Sequence, residues 1–298
     1  MSDILTKRLA IYYGYPSSVN GTYTVSGAVD VFKKYKILVL GTGLEDVSHP
    51  DHNNTVSIIT DPLMKSTKVY GYIDSTLPLN IIQNKIDLWS NMNVDGIFMD
   101  QFGYDFGLTR VKQREIICTK HEKGDNKLSA FVNAWNVDDV FGTIIDAVHN
   151  PDGLPTRMNE RDIYLAESFV IINGQYDNAD NNDDDIMDWQ DKAIKMINYR
   201  NSYGTKMAAV TTWNTDPFDQ NKMDYAYFSS VLYNFDYFGF GELYFSAADA
   251  QLPFRTRKTH YGTKFTGEIN TSSGGVFTRT TNIGIKIDTS NNTVNTII

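Results

Sequence analysis

The chain has 298 residues, a formal net charge of -9 and a pI near 5.0. That balance argues against a nucleic-acid partner, because phosphate binding needs a basic face. The single cysteine, Cys118, excludes an internal disulfide, and no apolar run reaches the ~18 residues of a membrane span.

Short apolar or aromatic runs recur along the chain and read as strands: Leu9–Tyr15, Lys36–Gly41, Lys68–Asp74, Val94–Asp100, Leu128–Trp135, Ile163–Ser168, Met207–Trp213 and Phe238–Phe245. Helical patterns occupy several intervals. Between Leu79 and Met92 the apolar positions are Ile81, Ile82, Ile86, Leu88 and Trp89. Similar spacing marks 188–203 and 224–235. Strands buried on both faces and alternating with helices imply a parallel sheet. Eight repeats imply closure, so the expected fold is α/β, a (β/α)8 TIM barrel. A chain of this length suits one barrel of ~250 residues with a remainder. An open doubly wound sheet is the competing architecture, but no Gly-x-Gly-x-x-Gly run follows the first strand. The expected barrel covers 1–262. Residues 263–298 are rich in Thr, Asn, Ser and Gly, with short alternating stretches such as Ile283–Ile287. They are expected to form a small β appendage that packs on the barrel or serves as a docking tail, toward a protein partner or a second copy of the chain.

Active sites of such barrels are built at the C-terminal strand ends. Asp100 closes the fourth strand and Glu167 lies at the end of the sixth. Glycoside hydrolysis needs two carboxyl groups flanking the scissile bond, one as acid and the other as nucleophile or base. These two are therefore the expected catalytic pair, with the acid unassigned. Glu242, Asp74 and Asp105 are lesser carboxylate candidates. Aromatic and amide side chains recur at the same level: Tyr13, Tyr15, Tyr72, Tyr104, Asn133, Trp135, Thr212, Trp213 and Asn214. Ring faces that stack on sugars, with amides for their hydroxyls, suit a polysaccharide substrate. Many such rings serve packing alone.

Metal-ligand patterns are weak. His49-Pro50-Asp51-His52 matches no standard spacing. The acidic stretch Asp177–Asp188 lacks the glycine and terminal glutamate of a calcium loop. No metal or other cofactor is expected, and no Ser-His-Asp set or phosphate-cradling loop is present.

The run Lys68-Val69-Tyr70-Gly71-Tyr72-Ile73, followed by a helix and then Val94-Asp95-Gly96-Ile97-Phe98-Met99-Asp100, resembles the spherulin-4-like proteins. These are related to the TIM-barrel endo-α-1,4-polygalactosaminidases. The clearest likeness spans about 9–105, and the barrel pattern extends it to about 250. The resemblance implies a glycosidase of galactosamine-type polymers, with Asp100 and Glu167 on the positions of the catalytic pair. Two departures stand out: Gln101 follows Asp100 where many members carry Glu, and the N-terminus lacks the apolar run of a signal peptide. Synthesis in a cytoplasm is thus expected, with virion association or release by lysis as the route outward. Two rival functions remain, a carbohydrate-binding barrel without catalysis and a structural, phage tail-associated component reusing the fold.

Overall fold

The computed structural model describes residues 2–122, 128–181, 187–213, 217–242, 251–272, 276–288 and 291–295. Eight parallel strands close into a barrel: β1 (Lys7–Tyr12), β2 (Ile37–Leu40), β3 (Lys68–Asp74), β4 (Gly96–Asp100), β5 (Ser129–Asn133), β6 (Ile163–Ala166), β7 (Lys206–Val210) and β8 (Tyr237–Gly239). Closure comes from β8, which pairs with β7 through Ala208↔Tyr237 and with β1 through Phe238↔Arg8. Helices α1 (Val25–Phe32), α2 (His52–Ile59), α3 (Leu79–Asn91), α4 (Arg110–Glu122), α5 (Asp138–Phe141), α6 (Asp188–Tyr203) and α7 (Gln220–Leu232) fill the crossovers. Local chemistry marks their ends. Thr24 caps α1 by accepting from the Gly27 amide, and Asp219 caps α7 by accepting from Asn221 and Lys222. Gly204, at φ 73°, ends α6 in the left-handed conformation.

Side-chain alternation divides the strands between two cores. Leu9, Ile11, Ile37, Val39, Tyr70, Phe98, Phe131, Ile163, Leu165, Ala208, Val210 and Tyr237 fill the barrel interior. The intervening residues, such as Ile97, Val132 and Tyr164, join the helices in a larger outer core. Tyr13 and Tyr72 continue the interior set toward the C-terminal mouth.

The expected strands hold, with shorter ends. Tyr13 and Tyr15 lie beyond β1, Trp135 beyond β5, Glu167 one residue beyond β6, and Thr212 and Trp213 beyond β7. The eighth strand departs most. It ends at Gly239, where a Cβ would stand 3.0 Å from the Leu9 carbonyl oxygen. Phe240 then turns away to pack on Trp213 and Phe218, with ring centroids 5.2 and 5.6 Å apart. Glu242 therefore does not end a strand, and 243–245 of the expected run lie outside the described residues.

The C-terminal segment forms an antiparallel sheet of β9 (Lys264–Ser272), β10 (Val276–Thr281), β11 (Ile285–Asp288) and β12 (Thr293–Asn295), with Ser2–Asp3 as its other edge. It packs on the barrel. Phe265, Phe277, Ile285 and Ile287 are buried in the outer core, and Phe277 meets Trp189 of α6 edge-on at 5.4 Å. Among the described residues no helix is long and apolar enough to cross a membrane.

Candidate active site

Three polar side chains extend the interior register by two residues: Asp100 after Phe98, Asn133 after Phe131 and Glu167 after Leu165. Period-two alternation thus directs all three into the mouth above the sealed interior. The Asn133 amide nitrogen donates to Asp100 Oδ1 and to Glu167 Oε2, each at 2.8 Å. The two acceptor oxygens are therefore at most about 5.6 Å apart, twice that bond length. Asp100 Oδ1 also accepts from the Gln101 amide at 2.9 Å, and Asp100 Oδ2 accepts from the Tyr72 hydroxyl at 3.0 Å. Three donors from three segments fix this carboxylate.

Glu167 is held differently. Burial foremost, then the negative charge of Asp100, pushes its carboxyl above the ordinary glutamate range. The Asn133 hydrogen bond and the ammonium of Lys192 oppose the rise without cancelling it. Burial, reinforced by Asp100, also raises the Tyr13 and Tyr72 phenols, which keeps both protonated as donors. Their rings meet edge-to-face at 5.3 Å.

The backbone directly after each carboxylate is strained. Gln101 has φ 55° and Ser168 φ 54°, left-handed conformations that favour glycine. Both kinks are tied to neighbouring strands. Phe102 donates to the Asn133 carbonyl at 2.8 Å, and Phe169 to the Val210 carbonyl at 3.0 Å. The Ser168 hydroxyl lies 2.9 Å from that of Thr212, which also accepts from the Asn173 amide. Thr212 thus braces the Glu167 loop.

The carboxylates open onto a cleft of about 330 Å3, lined also by Gln101, Asp105, Phe106, Ala134 and Trp135. Trp135 is 52% exposed, and Lys192 of α6 places its ammonium 4.3 Å from the ring centroid. Phe106 and Lys192 were not among the residues expected from sequence. Phe106 lies in an unpatterned loop. The one hint for Lys192 was its position one turn after Asp188 on a predicted helix.

Of the expected residues, Asp100, Asn133, Glu167, Tyr13, Tyr72, Asp105 and Trp135 converge here. The others do not. Tyr104 stacks on His149 at 4.9 Å, and its hydroxyl accepts from Arg110. Trp213 is 3% exposed, between Phe240 and the ammonium of Lys222. Glu242 accepts two hydrogen bonds from Arg255, at 3.0 and 2.7 Å. Asp74 accepts from the amide and hydroxyl of Thr76, closing a local turn beside Asp100. Tyr15 is exposed and packs edge-on against His49. Asn214 lies outside the described residues. Asp51 is engaged by Ser17 and Asn54, and His52 by the Leu44 carbonyl. Among the described residues no three His, Cys, Asp or Glu side chains gather as metal ligands.

No protein-family model and no curated protein matches the chain. Among solved structures it is similar to Haloferax volcanii malate synthase, at 10% identity over 79% of this chain and 69% of that one, with a TM-score of 0.48. It is also similar to an HpcH/HpaI aldolase from Desulfitobacterium hafniense, at 11% identity over 79% and 86%, TM-score 0.43. An endo-β-N-acetylglucosaminidase from Cordyceps militaris gives 11% identity over 79% and 81%, TM-score 0.39. None of these likenesses bears on the chemistry of the cleft, which stands on its own geometry.

Proposed function

We propose that the protein is a glycoside hydrolase that acts with retention of anomeric configuration. One observation carries the reading: a single neutral amide donates to both Asp100 and Glu167, which holds two carboxyl groups within about 5.6 Å, twice the 2.8 Å bond. Retaining glycosidases separate the pair by ~5–5.5 Å, whereas inverting enzymes need ~6.5–9.5 Å to admit a water. Glu167, whose raised pKa favours the protonated form, is the acid that protonates the leaving glycosidic oxygen. Asp100, fixed by three donors, attacks the anomeric carbon and forms a glycosyl ester as the glycosidic bond breaks. The Glu167 carboxylate then takes a proton from water, the resulting hydroxide displaces Asp100, and both groups return to their starting states.

Exposed Trp135 and Phe106 beside the pair support a sugar polymer as substrate. The finer reading, an amino-sugar polymer of the galactosamine type, is supported by the resemblance around 68–100, by the net charge of -9 and by Asp105 in the cleft. The test is reducing-end release from a polysaccharide panel that includes de-N-acetylated galactosamine polymers, with product anomers followed by NMR. Asp100→Asn and Glu167→Gln are each expected to lose at least ~10²–10⁴-fold in rate while remaining folded, and the first-formed product is expected to keep the substrate's anomeric configuration. Inverted product would refute the double-displacement assignment. Sugar binding without turnover would make the barrel a binding module, and neither binding nor turnover would favour a structural role.

A further inference from the structure

The N-terminal end of the barrel, opposite the carboxylates, carries a groove of about 450 Å3. Lys7 and Arg8 enter it from the start of β1, Lys33, Lys34 and Lys36 from the turn before β2, and Arg257 from the segment leading to β9. No lining residue is acidic. In a chain of net charge -9 this convergence runs against the overall composition. Of these six cations only Lys33 has a carboxylate partner among the described residues, Asp30.

The cations are oriented by groups that do not neutralise them. Arg8 lies 4.1 Å from the Phe254 ring centroid and donates to the Arg255 carbonyl at 2.9 Å. Arg257 stands 4.7 Å from the Tyr227 centroid and donates to the Phe238 carbonyl. Its Nε is buried and has no hydrogen-bond partner among the described residues. Lys34 lies 5.5 Å from the Phe254 centroid, and Lys36 donates to the Ser66 carbonyl at 2.8 Å. Elsewhere Arg255 pairs with Glu242 and Arg200 with Asp236, while Arg110 and Arg279 are held by carbonyls and rings but do not stand in a comparable cluster of cations. Aromatic faces and carbonyls fix a guanidinium while leaving its charge available. Burial foremost, with the Arg8 charge adding to it, brings Arg257 down to about 10, so an anion seated here would relieve a penalty already present.

We propose that this groove binds a compact, multiply charged phosphate group, free or carried on a small molecule. Five cations without carboxylate partners exceed what one planar carboxylate can match, whereas a polyphosphate offers several oxygens to guanidinium forks and ammonium groups together. The site is separate from the carboxylate cleft and does not depend on its activity.

The test is calorimetric titration of the full chain at low salt with inorganic tripolyphosphate and, separately, with a nucleoside triphosphate. Saturable binding at one site is expected, weakened about tenfold in Arg257→Gln and several-fold in Lys34→Gln, with affinity falling as salt rises. Lys34 is exposed, so its substitution leaves the fold and any hydrolytic activity intact. Lys195→Gln, which removes the partner of Asp138 elsewhere, should change nothing. Binding of the nucleotide alone would assign the phosphate to a carried form. Absence of saturable binding to either probe at millimolar concentration, or binding indifferent to both groove variants, would overturn the proposal. So would binding of single-stranded DNA that tripolyphosphate fails to displace.

Discussion

Asn133 sets the charge balance of the cleft. Its amide nitrogen supplies one hydrogen to each carboxyl group, and its buried Oδ1 has no hydrogen-bond partner among the described residues. The reversed amide would aim a carbonyl oxygen at two acceptor oxygens, so only this orientation suits the pair. Even so, ionising Glu167 carries a cost, as its raised pKa records. Glu167→Gln removes that charge while a carbonyl oxygen keeps the Asn133 bond. The variant is expected to be more stable than wild type near neutral pH by roughly 0.5–2 kcal/mol. The pH dependence has a definite sign. A carboxyl with folded pKa above its unfolded value contributes stability that is fully present below the ordinary value of 4.5 and lost as pH rises through the folded value. Urea melts should therefore show the two proteins alike well below that value, with a gap opening in favour of the variant as pH rises. A constant gap, or a less stable variant, would contradict the burial of this charge.

At the scale of elements, β3 and α3 determine where Tyr72 sits. The face of Trp89 on α3 lies against the backbone at Gly71, where a Cβ would come within 2.1 Å of the indole. The Trp89 indole nitrogen donates to the Tyr72 carbonyl at 3.1 Å. Glycine is required here for close approach, since φ is not positive. Gly71→Ala should cost about 1–3 kcal/mol through overpacking. Because the neighbouring Tyr72 hydroxyl bonds Asp100, hydrolytic rate should fall more than global stability alone explains. Denaturant melts and initial rates at a temperature where the variant is fully folded separate the two effects; an unchanged rate would detach Tyr72 from the reaction. This same element shows what could be read in advance. The apolar runs that end on Asp100 and just before Glu167 made both carboxylates, and Tyr72 and Asn133 at the same level, legible without coordinates. What the pattern could not supply was the point where each chain leaves the barrel. Glu242 was misplaced at a strand end because pairing stops at Gly239, and Arg255, its partner, lies 13 residues further on. Tyr104 and Trp213 look like sugar platforms in one dimension, yet their ring partners His149 and Phe240 come from other loops. The left-handed residues after the carboxylates, Gln101 and Ser168, carry no glycine signal and were invisible.

Among the described residues, the C-terminal sheet shares one outer core with the barrel. The appended sheet takes one edge strand from Ser2–Asp3, which pairs with Lys264–Phe265, so N-terminal residues and the C-terminal segment share one sheet. Asn234, just after α7, bonds the backbone at both Asp3 and Leu5, and Arg279 of β10 donates to the Leu232 carbonyl. Phe277 is 2% exposed and contacts Trp189, which in turn meets Phe169 beyond β6 and Tyr233 after α7. A void at Phe277 is therefore felt by the rings that support the Glu167 loop, and no solvent boundary separates the sheet from the barrel along this path. Phe277→Ala should cost about 3–5 kcal/mol. It should lower a single unfolding transition seen alike by far-ultraviolet dichroism, which reports the barrel, and by the fluorescence of the tryptophans. Two separated transitions, with the barrel melting unchanged, would mean that the sheet is an independent module and that its burial of Trp189 contributes nothing to the active-site end of the molecule.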